Sequence, residues 1–262
     1  MTWTATDFTM TCESTGTAHA VSVTTPFRYE SLDAAPLILC LDGAWTAGTV
    51  RDATRIMSMS GEAPEAVVAG LSFADDSMGD YLRSRARWFS PTEWVPPEET
   101  GVKDIGPEDT GQALTYLAFI RDQILPRLRT DWRVSETWLV GHSFSALFGL
   151  RALLHEPRLF DKYLLASPSI WWDERTMLDT EADYAATHDD LPARMFLSAG
   201  RDEDTLTGFN MCDNVIEMAA QLESRNYLGL ELAHQILPAE SHSSTIGAAV
   251  SQGLRYLHCG PD

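Results

Sequence analysis

Residues 138–154 restrict the folds open to this chain more than any other stretch. The apolar run Trp138-Leu139-Val140 leads directly into Gly141-His142-Ser143-Phe144-Ser145, after which Leu147, Leu150 and Leu154 recur at helical spacing. That is a strand turning sharply into a helix, and such a turn crowds the residues two before and two after its apex. Gly141 satisfies the first of these positions. Ser145 stands where a second glycine is usual and is small enough to fit.

The same alternation extends along the chain. The first 30 residues read as a starting hairpin, and Leu37-Ile38-Leu39-Cys40-Leu41 as a fully buried strand. A helix is expected over about 48–60 and a second buried strand over 66–73. A helix over about 109–126 precedes the strand at 138–140. Further strands are expected at 163–166, 195–197 and 228–237, with helices at about 209–225 and from Thr245 onward. Strands alternating with helices predict one α/β domain over 1–262, with a mainly parallel central sheet and helices on both faces. Residues 75–108, rich in Asp, Pro, Arg and Trp, show no clean period and are read as a cap of long loops over the site.

Charge excludes some partners. With 38 acidic and 19 basic residues the formal net charge is −19, so the surface repels phosphate backbones and nucleic acid is not an expected partner. No apolar stretch approaches the roughly 18 residues that span a bilayer, so no membrane partner is expected either. The N-terminus does not read as a secretory signal, and Cys12, Cys40, Cys212 and Cys259 are too scattered for a disulfide framework or zinc site. A reduced, cytoplasmic compartment is therefore expected, with no metal and no cofactor.

The turn at Ser143 has the form of a nucleophile elbow, which lifts a serine hydroxyl above the carboxyl ends of the strands. Such a serine needs a base. Among seven histidines, only His242 stands in the loop between the last strand and the closing helix, where the order serine, acid, histidine puts it. His142 adjoins the serine but cannot easily reach its hydroxyl, and reads as a structural or pocket-wall residue. The acid is expected just after the strand at 195–197, in Gly200-Arg201-Asp202-Glu203-Asp204. Glu203, three residues after the glycine that ends the strand, is preferred, with Asp202 and Asp204 open as alternatives.

Acyl transfer needs two donors aimed at the developing oxyanion. One is the N–H of Phe144. The other is expected from Asp42-Gly43-Ala44-Trp45, with Ala44 as donor and Asp42 and Trp45 lining the substrate site or serving turn and packing. Trp171 and Trp172, in the loop after the strand at 163–166, read as a wall for a bulky acyl group or as packing under the cap. Arg83, Arg85 and Arg87 form a dense basic run that either meets an anionic substrate group or is solvated surface.

Four segments, LCLDGAW, GHSFSALFGLRALLHEPRLFDKYLLASPSIWW, GRDED and AESHSST, together resemble the putative esterase family of α/β hydrolases. The resemblance runs from about Pro36 to the C-terminus and is most specific between Ser143 and Trp172. It is nearest to the siderophore-esterase branch, which cleaves enterobactin- and salmochelin-type trilactones; S-formylglutathione hydrolases and mycolyltransferases are relatives. The resemblance implies the α/β-hydrolase fold, a small-molecule ester as partner, Ser143, Glu203 and His242 as catalytic residues, and Ala44 and Phe144 N–H groups as the oxyanion hole. Some members resemble a Ser–His dyad with a weakly engaged acid, which keeps the choice within GRDED open. An acyltransferase on the same residues, or a binding protein that keeps the fold, are the competing functions.

Overall fold

The computed structural model describes residues 4–75, 77–97, 105–207 and 209–260. The expected opening hairpin is present as β1 (Ala5–Thr11) and β2 (Ala18–Thr24), with Ala5 opposite Thr24. Six further strands follow: β3 (Ala35–Leu41), β4 (Val67–Phe73), β5 (Val134–His142), β6 (Lys162–Ala166), β7 (Asp190–Gly200) and β8 (Leu228–Leu237). They form one sheet in the order β1-β2-β4-β3-β5-β6-β7-β8. From β4 to β8 every pairing is parallel, and β2 joins β4 antiparallel. This is the α/β-hydrolase fold.

The continuous apolar strands are explained by two cores. Leu37, Leu39 and Leu41 enter one hydrophobic cluster and Ile38 and Cys40 the other, and Leu139 is divided from Trp138 and Val140 in the same way. Alternate side chains point to opposite faces, so a strand buried on both faces cannot alternate apolar with polar. One face is covered by α1 (Gly43–Met57) and α9 (Thr245–Cys259), which also touch each other. The other carries α2 (Met78–Phe89), α3 (Ala113–Phe119), α4 (Leu125–Asp131), α5 (Phe144–His155), α6 (Thr176–Ala185) and α8 (Met211–Arg225). A short α7 (Glu203–Thr207) follows β7. No helix among the described residues is long and apolar enough to cross a membrane.

Three differences from the sequence reading have local causes. First, α1 begins at Gly43 rather than near 48, because Asp42 takes a left-handed conformation (φ 51°) and its carbonyl already accepts the Trp45 and Thr46 N–H groups. Second, the helix expected over 109–126 starts at Ala113, passes through a π-turn at Ile120–Ile124 and continues to Asp131. Pro126 lacks the N–H that a regular helix would use there, and a local change of hydrogen-bond pattern absorbs the defect. Third, part of the segment read as long loops is α2, capped by Ser77, whose hydroxyl accepts the Asp80 N–H at 3.1 Å. Residues 98–104 of the proposed cap lie outside the described residues.

His19 has an energetic consequence. It lies on β2 at 1% exposure, ringed by Phe73, Tyr116 and Phe119, and its Nδ1 has no hydrogen-bond partner among the described residues. Burial disfavours the charged ring and pushes its pKa down to about 4. An unfolded histidine titrates near 6.5, so between about pH 6.5 and 4 the unfolded chain holds a proton that the folded chain refuses. Stability is therefore full above pH 6.5 and declines as pH falls through that window, by about 2 kcal/mol between pH 6.5 and 5 from this residue. Urea unfolding at pH 7.5 and 5 should show the loss, and His19→Phe should remove that share of it. An identical pH dependence in His19→Phe would mean that the ring titrates normally in the fold.

Candidate active site

The elbow forms at the end of β5. Ser143 adopts φ 62°, ψ −119°, a strained conformation for a residue with a side chain, and the chain enters α5 at the next residue. A Cβ on Gly141 would lie 2.4 Å from the Ser145 carbonyl oxygen, so this position admits only glycine. Ser145, the departure from the usual second glycine, is fully buried and fits for a specific reason. Its hydroxyl accepts the His142 N–H at 2.9 Å and donates to the His142 carbonyl at 2.9 Å, tying the turn from inside.

Three expected residues meet although they are distant in the chain. His242, in the loop between β8 and α9, has Nε2 3.0 Å from Ser143 Oγ and Nδ1 2.7 Å from Glu203 Oε2. With Nδ1–H donating a hydrogen bond to the carboxylate, Nε2 carries the lone pair that faces the serine. Glu203 is fully buried, and its Oε1 accepts the Gly200 N–H at 2.5 Å and the Ser167 hydroxyl at 2.6 Å. Burial alone would raise its pKa, but hydrogen bonds from His242, Ser167 and Gly200 outweigh it and hold the carboxyl below its ordinary range. Neither of the other two acids is bonded to His242 among the described residues. Asp204 accepts the Cys212 N–H at 3.0 Å in the first turn of α8, and Asp202 is exposed.

His142 braces the loop that carries His242. Its Nε2–H donates to the His242 carbonyl at 2.8 Å, and the two rings lie 4.7 Å apart. Burial, helped by His242 and Arg85, pushes its pKa down to about 3, so it stays neutral and adds no charge beside the base. Sequence reasoning missed two serines after β6. Ser167 holds Glu203, and the buried Ser169 places its Oγ 3.3 Å from Ser143 Oγ. Their position at the carboxyl end of the strand beside β5 was the available signal.

Two site expectations, Ala44 and Trp172, need correction. The Ala44 N–H is donated to Ser72 Oγ at 2.8 Å, and Ala44 lines a different cavity. Because α1 starts at Gly43, Ala44 already faces β4, and the N–H without an acceptor among the described residues is that of Gly43. The Phe144 N–H is likewise uncommitted. Asp42 lines the cavity at the site, but it is 1% exposed and both its carboxylate oxygens are taken by Arg85, at 2.9 and 3.0 Å. Trp172 is fully buried, with its Nε1–H on Thr92 Oγ1 at 3.1 Å, whereas Trp171 is partly open and stacks on Phe209. The basic run divides by helical geometry: Arg83 and Arg87 pair with Asp80 and Asp109 on the outer side of α2, while Arg85 points inward. The cavity of about 310 Å³ at the site is lined by Trp45, Arg85, His142, Ser143, His242 and Ile246 among others.

Residues 12–236 match the sequence pattern of the putative esterase family. The chain belongs to the putative esterase family. Membership makes it a carboxylic ester hydrolase, in keeping with a serine, a histidine and a carboxylate aligned above the sheet. The family's relatives include the ferri-bacillibactin esterase BesA of Bacillus subtilis, 27% identical over 85% of this chain and 79% of that protein. A siderophore enterobactin esterase of Emericella nidulans is 33% identical over 63% of this chain and 62% of its own length. Among solved structures, the siderophore hydrolase EstA of Aspergillus nidulans superposes with a TM-score of 0.82 at 25% identity, covering 97% of this chain and 94% of that one.

Proposed function

We propose that this putative esterase family member hydrolyses its ester through an acyl-enzyme on Ser143. The observation that carries the reading is the unbroken relay from Ser143 Oγ through His242 to Glu203, at 3.0 and 2.7 Å. In acylation His242 Nε2 takes the serine proton as Oγ attacks the ester carbonyl, and the imidazolium formed is stabilised by Glu203. The oxyanion is held by the Phe144 and Gly43 N–H groups. His242 then returns the proton to the departing alcohol, and water repeats the sequence to release the acid. Trp45, 44% exposed, and Trp171 offer apolar surface to the acyl or alcohol part.

The substrate proposed is a siderophore ester, trilactones included, because that is the substrate class named for both relatives and for the superposed structure. Segment 75–108 is proposed as the cap that sets the fit, with Arg85 on its helical part reaching the site. A cytoplasmic location is proposed on the four cysteines, all unpaired. A panel of p-nitrophenyl esters of rising acyl length, run beside a trilactone siderophore, tests the substrate. The siderophore should be turned over with the higher kcat/KM, and a preference for simple short esters would reject it. Product analysis with an added alcohol decides between water and an acyl acceptor: free acid is expected, and a transferred ester would make the protein an acyltransferase.

A further inference from the structure

We propose that a cavity between the end of β2, the second half of α1 and the start of β4 binds a small carboxylate with an apolar body, an aromatic acid or a short alkyl acid. The site is separate from the serine, and the inference does not depend on the hydrolase reading. Val68, in one of its walls, pairs with Thr24 near the amino end of β4. Ser143 stands beyond the carboxyl end of β5, and β3, β4 and β5 all run parallel. The two sites therefore lie at opposite ends of the sheet.

The walls account for the apolar body. Pro26, Phe27, Met59, Ala66 and Val68 line a cavity of about 260 Å³. An apolar cavity of about 150 Å³ takes up benzene, so this one has room for a single ring or a short alkyl chain with its head group. Phe27 and Met59 are exposed, so the apolar lining reaches the surface and a ligand can enter. The hydroxyl protons of Thr54 and Ser58, also in the lining, go to the Val50 and Arg55 carbonyls at 2.7 and 3.1 Å, and neither donates into the cavity.

The charges account for the head group. Arg28, Arg51 and Arg55 line the same cavity, three of 19 basic residues in a chain of net charge −19. Two carboxylates pair with them: Glu65 takes Arg28 at 2.8 Å, and Asp52 takes both Arg51 and Arg55, at 2.9 and 3.3 Å. One positive charge is left in excess. Arg51 binds Asp52 through Nε and Nη2, which leaves its Nη1 without an acceptor among the described residues. Arg51 and Arg55 are one turn apart on α1, and burial together with the Arg51 charge lowers the Arg55 pKa. A carboxylate beside this pair offsets the like-charge contact and accepts charge-assisted hydrogen bonds. Glu65 Oε2 is buried with no hydrogen-bond partner among the described residues, so it repels an anion and places the head group on the α1 side. A cationic ligand would meet the excess positive charge, and a neutral one would leave it unanswered.

The test titrates the whole protein with benzoate at pH 7.5 and low salt, followed by saturation-transfer NMR of the ligand, with benzyl alcohol as a neutral ligand of similar size. Benzoate should bind with a Kd of about 1 mM or below, within reach of a ligand of this size. It should bind about tenfold more tightly than benzyl alcohol, and added salt should weaken benzoate alone. The double variant Arg51→Gln with Arg55→Gln keeps the apolar walls and leaves only the exposed Asp52 without its partners, so the fold survives. It should bring benzoate down to the affinity of benzyl alcohol and leave benzyl alcohol unchanged. Ser58→Phe, which fills the cavity from the end of α1, should abolish binding of both. Equal binding of the two ligands by the wild type would overturn the proposal. So would undiminished benzoate binding by the double variant at an unchanged melting temperature, which would place benzoate elsewhere, at the serine for example. A wild type that binds no benzoate but forms dimers that Ser58→Phe disrupts would also overturn it, and make this face a contact between copies of the chain.

Discussion

Ser143→Ala is expected to lower kcat by about 10⁶, the scale seen when a serine hydrolase loses its nucleophile. The His242 Nε2 is bonded to this hydroxyl at 3.0 Å, and the nearby Ser169 Oγ is bonded to Ser143 instead, at 3.3 Å. Ser169 is also buried, beyond direct reach of an ester carbonyl in the cavity. The elbow should survive, because its shape depends on Gly141 and Ser145 more than on the hydroxyl at its apex. A fluorophosphonate should label the wild type and leave the variant unlabelled at an unchanged melting temperature. Retention of more than about a hundredth of the activity, against the expected loss, would place the nucleophile elsewhere.

Glu203→Gln is expected to cost about 10⁴ in kcat, the scale seen for the corresponding acid-to-amide change in a serine protease. Both oxygens of this carboxylate face donors: His242 Nδ1–H on one side, Gly200 N–H and Ser167 O–H on the other. A glutamine must turn its amide NH₂ toward one of these sides. Turned toward His242 it meets Nδ1–H, unless the ring takes the other tautomer and loses its acceptor toward Ser143. Either way the imidazolium is no longer balanced by a buried negative charge. Asp202→Asn and Asp204→Asn should each cost less than about tenfold, and Asp204→Asn acts chiefly on stability through the first turn of α8. Measuring kcat for the three variants on one activated ester separates the cases. Small losses at all three would leave a Ser143–His242 dyad, and a large loss at an aspartate would move the acid.

Much of the site was legible because elbows and strand ends are local events. Ser143 announces itself by the strand before it, the helix after it and the glycine two residues back, all within one short segment. His242 follows from chain order once the serine is placed. Glu203 was harder, since three consecutive acids present the same chemistry, and its direction depends on how α7 leaves β7. Sequence reasoning offered Ala44 as the second oxyanion donor, but its N–H is held by Ser72 Oγ, and the donor proposed instead is the preceding Gly43. The error came from the helix boundary: a left-handed Asp42 starts α1 early, and nothing in LDGAW announces that conformation. Helix α2 was missed although Ser77 and Asp80 have the spacing of a helix-capping pair, because its dense charges obscure the apolar stripe.

The chain by itself determined the order of the strands and of most helices, the two-sided burial of the parallel strands, and which residues stand at their carboxyl ends. Those depend on periodicity and turn chemistry, which act over a few residues. Only the tertiary structure decided which of those residues touch. Asp42 and Arg85 are 43 positions apart, Ser143 and His242 are 99, and the His142 ring and His242 carbonyl are 100. Each pairing exists because parallel strands deliver distant loops to one edge of the sheet. Within that edge, which way a side chain turns depends on the space its neighbours leave. That is why Arg85 points in while Arg83 and Arg87 point out, and why Trp172 is buried beside an open Trp171.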